Sequence, residues 1–181
     1  MRIIKTPRDN HRSRVYKADK YAIGELGSGL CNKSSLPAAE RLETVSEIRA
    51  WVNEITSSEW WRKYRLPGVR RGWCAFFTPV EAHPAIRVKD GRGRRCAGGS
   101  FTGGFITMPK FSRNRHMILH ELAHTIVENR FAGHGPEFCR VLLDLTHEFL
   151  GVESAERLRH AYDLYEAPYE DIGYTYEKDA A

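Results

Sequence analysis

Two histidines and a glutamate near the middle of the chain have the types and the spacing of a metal-dependent hydrolase. His120, Glu121 and His124 form an H-E-x-x-H pattern inside a stretch that is predicted to be helical. A spacing of four places the two imidazoles one turn apart on one helix face, where both can bind one metal ion. Glu121 can reach a water molecule on that ion and take its proton. We therefore predict a zinc site with His120 and His124 as ligands and Glu121 as the general base.

A third histidine stands where a third ligand is needed. His134 lies ten residues after His124, in the sequence Gly-His-Gly-Pro-Glu-Phe of residues 133–138, just past the predicted helix. A catalytic zinc ion keeps three protein ligands and an open fourth position. We therefore predict that His134, delivered from the loop that follows the helix, completes the ligand set.

The other histidines are weaker candidates. His116 lies four residues before His120 and is an alternative ligand, but a pair of His116 and His120 leaves Glu121 and His134 without a role. The dipeptide His147-Glu148 begins no second complete motif. We predict surface or local hydrogen-bonding roles for His11, His83, His147 and His160.

Supporting residues are harder to assign. Asp144 and Glu128 are the candidates for orienting the ligand imidazoles, and Phe138 is expected to pack beneath the ligand loop. The group that stabilises the developing oxyanion is expected to be a tyrosine, a histidine or an arginine. The sequence singles out no residue for that role.

The elements that must hold these residues indicate an α+β fold. Apolar residues at helical spacing and capping residues predict one long amphipathic helix before the motif, the motif helix and two C-terminal helices, over residues 37–64, 112–129, 137–150 and 154–165. Ser112 and Ser154 are the predicted caps. Strand-forming residues bounded by turn signals predict strands at Val15–Ala18, Val69–Thr78, Ala85–Lys89, Arg94–Ala97 and Ser100–Met108.

The size and charge of the chain indicate one basic domain with an acidic end. The 181 residues are 41% hydrophobic and 28% charged, which is typical of a single globular domain. We predict one domain over residues 1–166, opening with a basic segment at residues 1–20, and an acidic tail at residues 167–181. The formal charge of +5 divides into −5 for residues 153–181 and +10 for the rest.

Several classes of protein are disfavoured by the same sequence. The chain has neither an apolar stretch long enough to cross a membrane nor the apolar core of a signal peptide. Its four cysteines form no Cys-x-x-Cys pair, which disfavours a thiolate zinc knuckle and a disulfide framework. We expect a cytoplasmic protein with no membrane partner.

The motif carries a resemblance to known metallopeptidases. The segment from His120 to His124, followed by His-Gly-Pro-Glu-Phe from His134 to Phe138, resembles the zinc-binding core of SprT-like and related minimal gluzincin-type metallopeptidases. More closely, residues 104–138 are similar to a small family of metallohydrolases known from actinobacteria and their phages. The interval between His124 and His134 is longer than in the metzincin pattern, and the chain lacks the Cys-rich tails of larger relatives in DNA–protein crosslink repair.

The resemblance implies a fold as well as a site. It implies zinc on His120, His124 and His134, with Glu121 as the base. It also implies a zincin-like domain, in which a small and mostly antiparallel sheet packs on the H-E-x-x-H helix. An edge strand beside the cleft then holds an extended peptide, and Ser100–Met108 is the candidate for that strand.

Two classes of function are consistent with the sequence. The first is a zinc metallohydrolase that acts on a peptide or protein, with a non-peptide amide as a weaker substrate class. The alternative is a basic nucleic-acid-associated protein whose zinc site is structural or vestigial. That alternative rests on basic clusters interleaved with aromatic residues such as Trp60, Trp61, Tyr64 and Trp73, the clusters being Arg2–Lys20, Arg62–Arg71, Arg87–Arg95 and Lys110–Arg115.

Overall fold

Helices form more than half of the part of the chain that the structure describes, and a small sheet covers one side of the helix that carries the motif. The computed structural model describes residues 7–25, 36–64, 85–127 and 131–169. Within these ranges the fold is α+β, as the sequence predicts. The helices are α1 (Arg12–Ala22), α2 (Val45–Ser57), α3 (Glu59–Tyr64), α4 (Arg115–Ile126), α5 (Pro136–Leu150) and α6 (Val152–Leu164), and the strands are β1 (Arg87–Asp90), β2 (Gly98–Ser100) and β3 (Phe105–Met108).

The sheet is mixed, with strand order β1-β3-β2. β1 and β3 run parallel, with Arg87 opposite Phe105. β2 and β3 run antiparallel, with Ser100 opposite Phe105. The predicted mostly antiparallel sheet is therefore wrong in one of its two pairings. The predicted strand Ala85–Lys89 is present as β1, which begins two residues later and ends one residue later.

The predicted edge strand Ser100–Met108 is divided by a turn. The Oγ atom of Ser100 accepts a hydrogen bond from the Gly103 amide, and Gly104 has a φ of 54°, which favours glycine. The chain therefore reverses between β2 and β3, and β3 becomes the central strand. Within the described residues, β1 and β2 are the two edge strands. The predicted strand Arg94–Ala97 is wrong, because pairing begins only at Gly98.

The N-terminal half departs most from the predictions. The predicted strand Val15–Ala18 lies inside α1, where Val15, Ala18 and Ala22 are buried at helical spacing. The predicted long helix is wrong as a continuous element. A 3₁₀ turn at Pro37–Ala39 is separated from α2 by a capping box, in which Thr44 accepts from the Glu47 amide and Glu47 accepts from Thr44.

The helices of the C-terminal half follow the predictions closely. α4 begins at an Asn114 cap instead of Ser112, since the Asn114 side chain accepts a hydrogen bond from the Met117 amide. α5 confirms the helix predicted over residues 137–150. It ends at Gly151, whose φ of 84° suits glycine. α6 begins directly after Gly151 and therefore does not use Ser154 as its cap.

α4 is the central element of the core. Most of its residues are buried, because it packs against β2 and β3 on one side and α5 on the other, while α1 bridges α4 and α6. None of the helices in the described ranges has the length and apolar character needed to span a membrane. The predicted strand at residues 69–78 and the tail beyond residue 169 lie outside the described residues.

Candidate metal centre

Helix α4 brings His120, Glu121 and His124 to the point where the sheet, α5 and α1 meet. His120 and Glu121 are buried, and His124 is half-buried. The rings of His120 and His124 are 5.0 Å apart between centroids. The motif histidines therefore lie side by side on one face of the helix, as the spacing of four predicts.

The start of α5 adds the third histidine. His134 precedes Pro136 and lies with its Nε2 atom 3.3 Å from Nε2 of His120. Nitrogen atoms of His120, His124 and His134 all lie within 4.8 Å of one another. Two nitrogens bound to one tetrahedral zinc ion at about 2.0–2.1 Å are roughly 3.3 Å apart. The cluster therefore has the donor type and the spacing of a three-histidine metal site.

Phe138 supports this cluster from below. Its ring lies 4.4 Å from the His124 ring, 4.8 Å from the His120 ring and 4.9 Å from the His134 ring, between centroids. Phe138 is fully buried. The expected packing role of this residue is confirmed.

Two aspartates contact the ring nitrogens that face away from the cluster. Oδ2 of Asp9 lies 2.6 Å from Nδ1 of His134, and Oδ2 of Asp19 lies 3.1 Å from Nδ1 of His120. A carboxylate on Nδ1 keeps that nitrogen protonated and leaves Nε2 free to bind a metal ion. Asp9 and Asp19 therefore lie where they can orient two of the three imidazoles, the role for which the sequence predicts Asp144 and Glu128.

The buried environment sets the protonation of the three rings. Burial lowers the pKa of His124 and His134, and the neighbouring His120 lowers both further. These two rings are therefore neutral at pH 7, the state that ligates a metal. Burial acts to lower the pKa of His120 as well, but the Asp19 carboxylate outweighs it and the pKa of His120 is raised.

Glu121 is held against strand β2. The backbone amide of Gly99 stabilises the charged carboxylate of Glu121 and acts to lower its pKa. A Cβ atom at position 99 would lie 2.2 Å from the Glu121 carbonyl oxygen and 2.8 Å from Cβ of His124. Glycine is therefore the residue that lets β2 approach α4 this closely.

The same carboxylate is buried without full pairing. Oε2 of Glu121 is buried and has no hydrogen-bond partner within the described ranges. Burial raises the pKa of Glu121 to about 7. A carboxyl group whose pKa lies near neutral pH can both take and return a proton.

Tyr16 of α1 covers the cluster from the opposite side. Its ring lies 5.2 Å from the His134 ring and 5.7 Å from the His120 ring, between centroids. Burial raises the pKa of its hydroxyl and outweighs the Arg12 guanidinium, one turn earlier on α1, which acts to lower it. Tyr16 is therefore a neutral hydrogen-bond donor beside the histidine cluster.

The other residues that the sequence proposed lie outside the cluster. Nε2 of His116 lies 2.8 Å from Oδ1 of Asp19, which makes His116 a partner of Asp19 and not a ligand of this cluster. Asp144 pairs with Arg140 on its own helix, at 3.1 Å. His160 packs on the Tyr21 ring. His83 and Glu128 lie outside the described residues.

Part of the predicted basic charge is used within the fold. Arg113 is buried and donates hydrogen bonds to the Met108 carbonyl, the Glu43 carbonyl and Asp90. Arg115 pairs with Glu40 at 3.0 Å. The Lys110–Arg115 cluster is therefore partly structural, and binding to a nucleic acid stays a prediction.

Comparisons with known proteins add no relative: no family model, no curated protein and no solved structure matches the chain.

Proposed function

We propose that the protein is a zinc-dependent metallohydrolase that cleaves peptide bonds. The observation that carries the proposal is the buried carboxylate of Glu121, one oxygen of which has no partner within the described ranges, beside three clustered histidines. Leaving a buried carboxylate oxygen unpaired is costly. A reaction that needs a base at this place accounts for that cost.

Zinc is the metal that fits the donor set best. Three imidazoles are typical of catalytic zinc sites, and an all-nitrogen set disfavours magnesium and calcium, which prefer oxygen ligands. Structural zinc sites use four protein ligands, whereas three histidines form this cluster in the described part of the chain. A zinc ion bound here supplies a Lewis acid that polarises a carbonyl oxygen and makes water more acidic.

The side chains around the cluster have separate roles in this proposal. Glu121 takes a proton from the attacking water and passes it to the leaving nitrogen. The Tyr16 hydroxyl donates a hydrogen bond to the oxygen that becomes negatively charged. Asp9 and Asp19 hold His134 and His120 in the orientation that ligation requires.

The position of β2 favours an extended peptide as the substrate. β2 is an edge strand of the described sheet and lies against Glu121 and His124 through Gly99. An edge strand has unpaired backbone groups that can align an extended chain by hydrogen bonding. A peptide bound along β2 therefore passes directly over the proposed base.

The test separates metal binding from turnover. Zinc-loaded wild type is expected to hydrolyse unstructured protein or a mixture of peptides. The Glu121→Gln variant is expected to keep one zinc ion per chain and to lose activity by about 1000-fold, because the base is removed and the ligands are not. Glu148→Gln, at an exposed position of α5, is the matched control and should retain activity.

Two results would contradict the proposal. One is a wild-type protein that binds no metal when zinc is supplied. The other is a Glu121→Gln variant that hydrolyses peptides at the wild-type rate.

A further inference from the structure

A cavity of about 420 Å³ opens beside Glu121, and most of the surface that lines it is apolar, although polar and charged residues also contribute to the lining. Tyr16 and Glu121 line it on the side of the metal cluster. Ile23 of the segment after α1, Ala97 before β2, Met117 of α4 and Phe111 form the apolar wall. The cavity therefore has the proposed catalytic groups on one side and an apolar wall on the other.

Phe111 is exposed although its backbone is fixed. Its side chain is 61% exposed, one of three large hydrophobic residues in that state in the described ranges. Arg41 donates hydrogen bonds to the carbonyl oxygens of Lys110 and Phe111, which hold this turn in place. Phe111 also lines the cavity, so its uncovered ring is available to an apolar group that enters there.

The charged groups at the cavity do not favour one sign strongly. Lys20 and Arg95 line it together with Glu25. Asp19 also lines it, but its two oxygens face His116 and His120. Selectivity in this cavity therefore depends mainly on its apolar wall.

We propose that this cavity binds a large apolar side chain of the substrate, such as phenylalanine or leucine, next to the peptide bond that is cleaved. The inference rests on the proposed function, since it takes Glu121 as the base beside the scissile bond. The volume is ample for one such side chain. Burial of a large apolar side chain should improve binding by about 10–100-fold over glycine.

Binding of hydroxamates tests the cavity without requiring turnover. N-acetyl-phenylalanine hydroxamate and a benzylsuccinyl hydroxamate place an aromatic ring on opposite sides of the same metal-binding group. The Kd of each for zinc-loaded protein is measured by calorimetry beside that of its counterpart without the ring. One of the two aromatic compounds is expected to bind at least about 10-fold more tightly than its counterpart. Equal affinities for both pairs, or no binding, would overturn the inference.

Two variants test whether the gain in affinity from the aromatic ring arises in the cavity. Phe111→Ser removes part of the apolar wall at an exposed position and should reduce the gain severalfold, leaving the affinity of the ringless compounds unchanged. Leu164→Ser is the matched control, because Leu164 is 53% exposed and is not a lining residue of the cavity. Ala97→Trp fills the cavity and should abolish the gain. If the aromatic ring improves affinity in both cavity variants as much as in wild type, the ring binds outside this cavity.

Cleavage of a peptide mixture distinguishes this inference from the proposed function. If wild type cleaves peptides without preference for apolar residues on either side of the bond, the inference is wrong and the proposed function stands. If the hydroxamates discriminate but no peptide is cleaved, the cavity binds apolar groups and the assignment as a peptidase is wrong.

Discussion

Glu121 on α4 and Asp19 on α1 are both buried carboxylates near His120, and their environments act on them in opposite ways. Burial raises the pKa of Glu121 to about 7. Burial acts to raise the pKa of Asp19 as well, but His120 and His116 hold it well below its ordinary value.

This difference separates a reactive group from an orienting one. The charge of Glu121 is destabilised, so the group can exchange a proton near neutral pH. The charge of Asp19 is stabilised by two imidazoles, so the group stays ionised and fixes the rings beside it. In the proposed site, helix α4 and the loop before α5 supply the ligands and the base, whereas residues 9–19 supply the groups that orient and cover them.

The largest effect is expected from removing a ligand. His134→Ala should weaken zinc binding by about 1000-fold or more, because one of three nitrogen donors is lost. Competition with a chromophoric chelator measures the affinity. His160→Ala is the control, since its ring packs on Tyr21 away from the cluster. If zinc binds to His134→Ala as tightly as to wild type, His134 is not a ligand.

The local motif explains why this part of the site was predictable. His120, Glu121 and His124 lie within five residues of one helix, and His134 follows in the adjoining loop. Helical periodicity alone brings the first three together. The boundaries of α4 and α5 were also close to the predicted ones, because caps, Pro136 and Gly151 mark them.

The orienting groups could not be found by the same reasoning. Asp19 lies 97 residues before its partner His116, and Asp9 lies 125 residues before His134. Only tertiary packing brings such distant residues together, and a lone aspartate carries no local pattern. The sequence predicts a strand at Val15–Ala18, which includes Tyr16, although the spacing of Val15, Ala18 and Ala22 is helical. In a helix, Arg12, Tyr16 and Asp19 follow one another at spacings of four and three and share one face.

The pH dependence of the free energy of unfolding should show that ionisation of the buried Glu121 destabilises the folded state. Its pKa is about 7 in the folded protein and 4.5 ordinarily, so the folded state binds more protons than the unfolded state between these values. Stability due to this group therefore falls as pH rises from 4.5 to 7 and is constant above. In metal-free protein, Glu121→Gln should gain stability relative to wild type by about 3 kcal/mol over this range.

Urea denaturation at pH 4.5, 6 and 8 measures this difference. Glu148→Gln, exposed on α5, controls for the removal of one acidic group. A stability difference between Glu121→Gln and wild type that stays constant from pH 4.5 to 8 would show that the Glu121 charge is not destabilised. The contrast with Asp19 would then be lost.

Asp19→Asn tests the other half of the comparison. Loss of the Asp19 carboxylate should weaken zinc binding by about 10–100-fold, the usual cost of removing a carboxylate that orients a ligand histidine. It should also destabilise the metal-free protein, because His116 and His120 lose a buried partner. Asp144→Asn is the control, as Asp144 pairs with Arg140 on α5. Equal zinc affinities of Asp19→Asn and wild type would limit Asp19 to a role in folding.

Asp9→Asn should have a smaller effect than any of the three substitutions at His134, Glu121 and Asp19. Oδ2 of Asp9 contacts Nδ1 of His134 at 2.6 Å, closer than the Asp19 contact with His120. However, the Asp9 side chain is 27% exposed and that of Asp19 only 3%, so water can replace part of the lost interaction. We expect zinc affinity to fall by less than about 10-fold. The exposed Asp163→Asn is the control. A larger loss for Asp9→Asn than for Asp19→Asn would show that contact distance, and not burial, determines how strongly an aspartate supports its ligand.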